Sequence, residues 1–355
     1  MKISTVGVAL AEYSYSNEAM QICYARPSQY NAERKIIMNQ FTSLEICSGA
    51  GGQALGLEMA GFNHAALVEL DSAACATLRL NRPCWNVAEG DLRKFSGIPY
   101  KGVDLVAGGV PCPPFSKAGK QLGAKDDRDL FPEAIRLVDE CRPQAVMLEN
   151  VRGLLDAVFD DYRNKVEKQL KKLGYMPGWR LHNASDYGVS QLRPRVVFVG
   201  IRKDLAAGFS WPEPLKANPP TVGELLHDLM KSNGWQGVDR WREQANAIAP
   251  TLVGGSKKHG GPDLGPTRAK RAWASLGVDG MGLWDEAPPR NFVGMPRLTP
   301  RMTARIQGFP DEWQFSGRKT ATYRQIGNAF PPPVASAVAR QIFAALAIKR
   351  IFKVS

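Results

Sequence analysis

Short apolar runs alternate with amphipathic stretches from residue 41 onward. Residues 41–47 and 64–69 read as strands, and 52–60 and 72–80 as helices. A third short strand precedes Glu89-Gly90-Asp91. Residues 104–107, 145–148 and 196–201 are further buried strands, with helical stretches near 129–141 and 161–173 between them. This alternation predicts the α/β class, with a mostly parallel, doubly wound sheet. It stops near residue 205. From 206 to 295 the chain is broken by Trp211-Pro212, Pro219-Pro220, Gly254-Gly255, Gly260-Gly261-Pro262 and Pro288-Pro289, which predicts a smaller loop-rich module. Helical patterning returns at 300–307 and after Pro331-Pro332-Pro333, where Val334, Val338, Ile342 and Leu346 share one face. Residues 1–40 show no clear period. The expected organisation is an N-terminal extension over 1–40, a large domain built from 41–205 plus 296–355, and a module over 206–295.

A chain of 355 residues accommodates a large domain carrying a smaller one. No apolar run reaches the length of a membrane span, and the N-terminus lacks a secretory pattern, so a cytoplasmic protein is expected. The six cysteines (23, 47, 75, 84, 112 and 141) show no paired metal-ligand spacing, so reduced thiols and no metal are expected. Cys23, Cys75, Cys84 and Cys141 read as small core filler. A formal charge of +12 favours a polyanionic partner. Arg301, Arg305, Arg318, Lys319, Arg324 and Arg340 recur beyond Arg297, opposed only by Asp311 and Glu312. A second cluster, Lys257, Lys258, Arg268, Lys270 and Arg271, is threaded through glycines and prolines. Both are expected to face phosphate rather than to form solvated helix faces.

Candidate chemistry sits at the strand ends. Gly49, Gly51 and Ala54 match the loose pattern G-x-G-x-x-G/A, and the acidic Glu69 follows at the end of the second strand. Asp91 adds a third polar group, able to accept from an adenine amino group. The pattern predicts an adenosine cofactor and leaves NAD open. Residues 103–107 lead into Pro111-Cys112-Pro113-Pro114-Phe115-Ser116, and 144–148 into Glu149-Asn150-Val151. Parallel sheets bind ligands at the carboxyl ends of their strands, so both segments point into one crevice. A cysteine and a carboxyl group delivered there suggest covalent catalysis assisted by a proton donor. Local sequence alone leaves Glu149 open to a helix-capping or ion-pairing role, and Arg193 and Arg195 open to surface ion pairs.

Taken in order, these segments resemble the motifs of DNA (cytosine-5)-methyltransferases of the bacterial restriction-modification type, from about residue 41 to 345. The turn at 48–52 resembles the S-adenosylmethionine loop, and Val68-Glu69-Leu70-Asp71 the ribose and adenine segment. Pro111 to Ser116 resembles the nucleophile loop, and Glu149-Asn150-Val151 the catalytic glutamate segment. Gln191-Leu192-Arg193-Pro194-Arg195, Arg297 to Pro310, and Gln325-Ile326-Gly327-Asn328-Ala329-Phe330 resemble three later motifs. Thr251-Leu252 resembles the Thr-Leu pair of the family's recognition domain.

The resemblance implies a Rossmann-like S-adenosylmethionine-dependent domain with a smaller loop-rich target-recognition domain. It would methylate C5 of a flipped-out cytosine in a specific double-stranded DNA sequence. Cys112, Glu149, Arg195 and Arg193 would be catalytic; Ser48, Gly49, Gly51, Gly52, Glu69, Leu70, Asp91 and Asn328 would hold the cofactor. Ser116, Gln121, Thr251, Lys257 and Lys258 would contact DNA, with the segment 117–129 closing over it. A monomer is expected, with a cognate restriction endonuclease acting separately. Two departures stand out: Cys47 occupies the family's usual aromatic cofactor-stacking position, and Pro113 replaces the common glutamine after the nucleophile. Three rival readings compete with this one. A tRNA cytosine-5 methyltransferase is opposed by the sizeable Pro/Gly-rich module and the missing Cys-Phe-Thr signature. An NAD-dependent dehydrogenase gives Cys112, Glu149 and the basic C-terminal region no task. A catalytically silent DNA-binding module would not need the nucleophile and its carboxyl partner.

Overall fold

The computed structural model describes residues 41–111, 129–255 and 261–354. Its centre is a seven-stranded sheet of order β3-β2-β1-β4-β5-β7-β6. The strands are β1 (Thr42–Ile46), β2 (Asn63–Glu69), β3 (Val87–Glu89), β4 (Leu105–Gly108), β5 (Ala145–Val151), β6 (Tyr175–Asn183) and β7 (Pro194–Arg202). The first five run parallel to one another, and β7 runs antiparallel to both β5 and β6. The expected α/β sheet is therefore present, with one strand, β6, that the apolar period does not predict. Pro177 and Gly178 interrupt that period, which the position of β6 at the sheet edge tolerates.

Alternation along the central strands fills a core on each face. Leu105 and Ala107 pack to one side with Val334, Val338, Ile342 and Leu346 of α10 (Pro332–Val354). Val106 packs to the other with Leu137 and Val138 of α3 (Phe131–Cys141). Helix α1 (Gly52–Met59) lies close against α10: a Cβ on Gly56 would sit 2.5 Å from that of Ala335. Helices α2 (Ser72–Asn81) and α4 (Asp160–Lys172) complete the layers.

A separate core holds the later segment. Helices α5 (Val222–Lys231), α6 (Val238–Gln244) and α7 (Thr267–Ser275) bury Leu226, Trp241 and Trp273 together with Met302 and Ile306 of α8 (Pro300–Ile306) and Tyr323 of α9 (Lys319–Asn328). Phe209 and Trp211 pack instead with the large core. Apolar packing thus runs across residues 206 and 296, the expected edges of the recognition module.

Two expectations need correction. Cys84 is exposed rather than core filler, while Cys75 and Cys141 are buried. Part of the basic surface is engaged within the protein. Arg305 pairs with Asp228 and Asp311, Lys319 with Asp285 and Lys270 with Asp263. Arg301 donates to the carbonyls of Pro310 and Trp313. Those acids and carbonyls come from distant or adjacent segments, so composition along the chain did not reveal the neutralisation.

Candidate functional site

The carboxyl ends of β1, β2, β4 and β5 border a cavity of about 360 Å3. The loop leaving β1 turns sharply, with Cys47, Gly49 and Gly51 at φ 51°, 54° and 88°. Glycine takes this left-handed region freely; Cys47 does so at a cost of about 1 kcal/mol. Gly52 is required for another reason, because a Cβ there would lie 2.3 Å from the Phe330 carbonyl oxygen. The Ser48 hydroxyl donates to the Glu45 carbonyl (3.2 Å) and shapes the same turn.

Glu69 closes the loop onto β2. Its carboxylate accepts from the amides of Gly49 (2.7 Å), Leu70 (2.8 Å) and Asp71 (2.7 Å). A carboxylate offers roughly four lone-pair positions, so one remains for a ligand. Leu70 stands 68 % exposed at the cavity. Asp91 accepts from the Arg93 amide (3.0 Å), which lowers its pKa, and pairs with the Arg93 guanidinium at 3.3 Å. Asn328, on α9, also lines the cavity and donates to the Gly255 carbonyl (3.1 Å).

Sequence reasoning passed over Glu45 and Gln53. Both line the cavity and both are buried, yet neither carboxylate oxygen of Glu45 nor either amide atom of Gln53 has a hydrogen-bond partner among the described residues. Burial pushes the Glu45 carboxyl well above the usual range, against the pull of the Ala54 amide. Their signal lay in tertiary placement: in sequence each is one polar residue in an apolar run. Burial also pushes the Cys47 thiol up, so this cavity cysteine stays protonated.

Glu149 projects into the same cavity from β5. Register explains its partner: Glu149 lies opposite Val197 and Arg195 opposite Val151, so Glu149 and Arg195 are diagonal neighbours on one face. Arg195 Nε reaches Glu149 Oε1 at 2.8 Å. Burial raises the Glu149 pKa, opposed by the charges of Arg195 and Arg193. Gly109 is close by, since a Cβ there would meet Glu149 Oε2 at 3.3 Å. Asn150 donates to the Val110 carbonyl (2.9 Å), and the Leu130 amide to that of Pro111 (3.4 Å). Pro111 thus reaches the cavity beside Glu149. Cys112, Ser116, Gln121, Lys257 and Lys258 lie outside the described residues.

Arg193 is placed differently from Arg195. Fully buried, it donates to the carbonyls of Leu252 (2.8 Å), Gly327 (2.6 Å) and Ala329 (3.1 Å). Gln191 accepts from the Leu252 amide (2.9 Å) and donates to Gln307 (2.7 Å). These contacts tie the 252 segment and α9 to the start of β7. The Thr251 hydroxyl donates to the Leu192 carbonyl, so its proton is committed within the protein.

The family model for C-5 cytosine-specific DNA methylase matches residues 41–344. The Type II methyltransferase M.NgoMIV of Neisseria gonorrhoeae is 62% identical over 310 residues, covering 86% of this chain and 98% of that protein. The Type II methyltransferase M.NaeI of Lentzea aerocolonigenes is 58% identical, covering 87% of this chain and 76% of that protein. Among solved structures, one described as a prophage-encoded DNA modification methyltransferase of E. coli shares the fold with a TM-score of 0.63 at 24% identity, covering 86% of this chain and 99% of that one. Strand-end chemistry, sheet topology and these matches agree, and the chain belongs to the C-5 cytosine-specific DNA methylase family.

Proposed function

We propose that the protein methylates C5 of cytosine in a specific duplex DNA sequence, with Cys112 as nucleophile, Glu149 as proton donor and S-adenosylmethionine as methyl donor. Membership of the family makes it a DNA (cytosine-5)-methyltransferase. The observation that carries the residue assignment is the buried Glu149–Arg195 pair, facing the cavity that Pro111 also lines.

The cavity fits the cofactor. Its volume lies within the roughly 300–1,000 Å3 of small-molecule sites. Glu69 keeps acceptor capacity for ribose hydroxyls, Asp91 stands ready for an adenine amino group, and Leu70 offers an apolar surface in place of the missing aromatic. A polar ligand in this cavity would satisfy the unpartnered groups of Glu45 and Gln53. When bound, the cofactor supplies an electrophilic methyl group.

Cytosine C5 is a weak nucleophile until a thiolate adds at C6. Cys112 forms the S–C6 bond while Glu149 delivers a proton or hydrogen bond to N3, where negative charge would otherwise build. Arg195 holds the Glu149 carboxyl in place and adds positive potential beside the adduct. Once C5 carries the methyl group, its proton leaves to a base or water, the S–C6 bond breaks with the pair returning to sulfur, and any proton taken up at N3 goes back to Glu149, restoring the aromatic ring. The base must first leave the duplex stack, at a cost of a few kcal/mol. The 206–295 module, with Thr251, is assigned sequence reading, and Lys257 and Lys258 phosphate contact, with Ser116 and Gln121 over the substrate. The relatives' Type II names support a restriction-modification setting with a separately acting endonuclease.

Duplex carrying 5-fluorocytosine tests the scheme, because fluorine at C5 cannot leave as a proton. A denaturant-stable adduct should form that requires S-adenosylmethionine, and Cys112→Ser should abolish it. An adduct persisting in Cys112→Ser would move the nucleophile elsewhere. Trapping on fluorinated tRNA but not on duplex DNA would assign the protein to RNA.

A further inference from the structure

We propose that Arg324 is the cation that receives the carboxylate of the methyl donor's amino-acid end. The inference rests on the cofactor reading above and adds a residue to it. The carboxylates of Glu69, Asp71 and Asp91 give the cavity wall a negative character. That suits the sulfonium and ammonium of the donor and opposes its carboxylate. Two arginines line the cavity. Arg93 is held by Asp91. Arg324 is half-buried and, among the described residues, forms no ion pair or hydrogen bond.

Its position is set in advance. Residues four apart share a helix face, so Arg324 and Asn328 both present to the cavity from α9. Neighbouring side chains fix the helix. Gln325 accepts from Thr77 (2.7 Å) and donates to the Ser316 carbonyl (2.8 Å), while Tyr323 is buried in the module core. On the other side Gly254 approaches so closely that a Cβ would lie 2.8 Å from the Arg324 carbonyl oxygen. Guanidinium pairs with carboxylate through two parallel hydrogen bonds, which gives geometry as well as charge.

Titration calorimetry with S-adenosylmethionine and with its decarboxylated analogue tests the pairing on the full chain. Wild type should prefer the complete cofactor by about tenfold, the size of one charge-assisted pair at a half-exposed site. Arg324→Gln should lose that preference, weakening S-adenosylmethionine about tenfold and leaving the analogue unchanged; Arg324→Lys should restore part of it. Equal losses for both compounds would make Arg324 structural and overturn the proposal. Unchanged cofactor binding with weaker, less salt-dependent duplex binding would make it a phosphate contact. A wild-type protein that bound neither compound would overturn the cofactor reading itself, a result distinct from a variant that keeps the discrimination.

Discussion

Arg195 lies diagonally across the β5–β7 ladder from Glu149, with its Nε 2.8 Å from Oε1 and both side chains almost withdrawn from solvent. Two pushes meet at that carboxyl: burial raises its pKa and the guanidinium lowers it. A proton donor must be protonated, so the rate should fall as pH rises through the Glu149 pKa. Replacing Arg195 by Met removes the lowering charge and should carry this alkaline limb to higher pH, with the plateau rate down at least about tenfold. Glu149→Gln should cost roughly 10²–10⁴ in single-turnover rate and spare duplex binding. An alkaline limb that stays put in Arg195→Met would sever the link between the two residues.

Arg193 was expected to be catalytic, and its position supports a second reading as a strap between β7, the 252 segment and α9. Arg193→Met leaves the carbonyls of Leu252 and Gly327 unpaired, at about 1–3 kcal/mol each before relaxation, and Ala329 with Gln307 as its remaining donor. The urea midpoint should drop accordingly, and Lys should not rescue it because one ammonium cannot span three acceptors. A variant of full stability that is inactive would return Arg193 to the chemistry.

Buried His182 bonds the Tyr187 hydroxyl through Nδ1 at 2.6 Å, and burial lowers its pKa to about 4 from 6.5. The unfolded chain then binds more protons between those values, so this histidine's contribution is present above pH 6.5 and lost as pH falls toward 4. Wild type should therefore lose about 2–3 kcal/mol relative to His182→Gln between pH 7 and 4.5. Paired urea titrations at the two pH values would read the change; a constant gap contradicts it.

Neutralising Lys257 and Lys258 should weaken binding to all duplexes and flatten its salt dependence, by up to roughly 0.9 log-log units for each phosphate the protein no longer neutralises. Replacing Thr251 should instead damage methylation of the cognate site more than non-specific binding. A change in sequence preference with an unaltered salt slope would reverse the two assignments.

Period and punctuation along the chain were enough for the alternating strands and helices from residue 41, because each buried strand is a short apolar run and each turn carries its own glycine or proline. Strand ends then placed Glu69, Asp91 and Glu149 at one crevice, since the direction of a parallel strand decides where its last side chains meet. Other features had no local signature. The edge strand β6, with Pro177 and Gly178, breaks its own pattern and is held by pairing with β7. Arg193 and Arg195 are identical residues two apart; only the fold decides that one binds carbonyls in the core and the other a carboxylate in the cavity. The same holds for the basic residues, of which Arg305 and Lys319 are neutralised by acids distant in the chain. Sequence determines which groups are available at each strand end, because that follows from local backbone geometry. Partners of a charge depend on which distant segments burial brings within about 4 Å, and only the tertiary structure decides that.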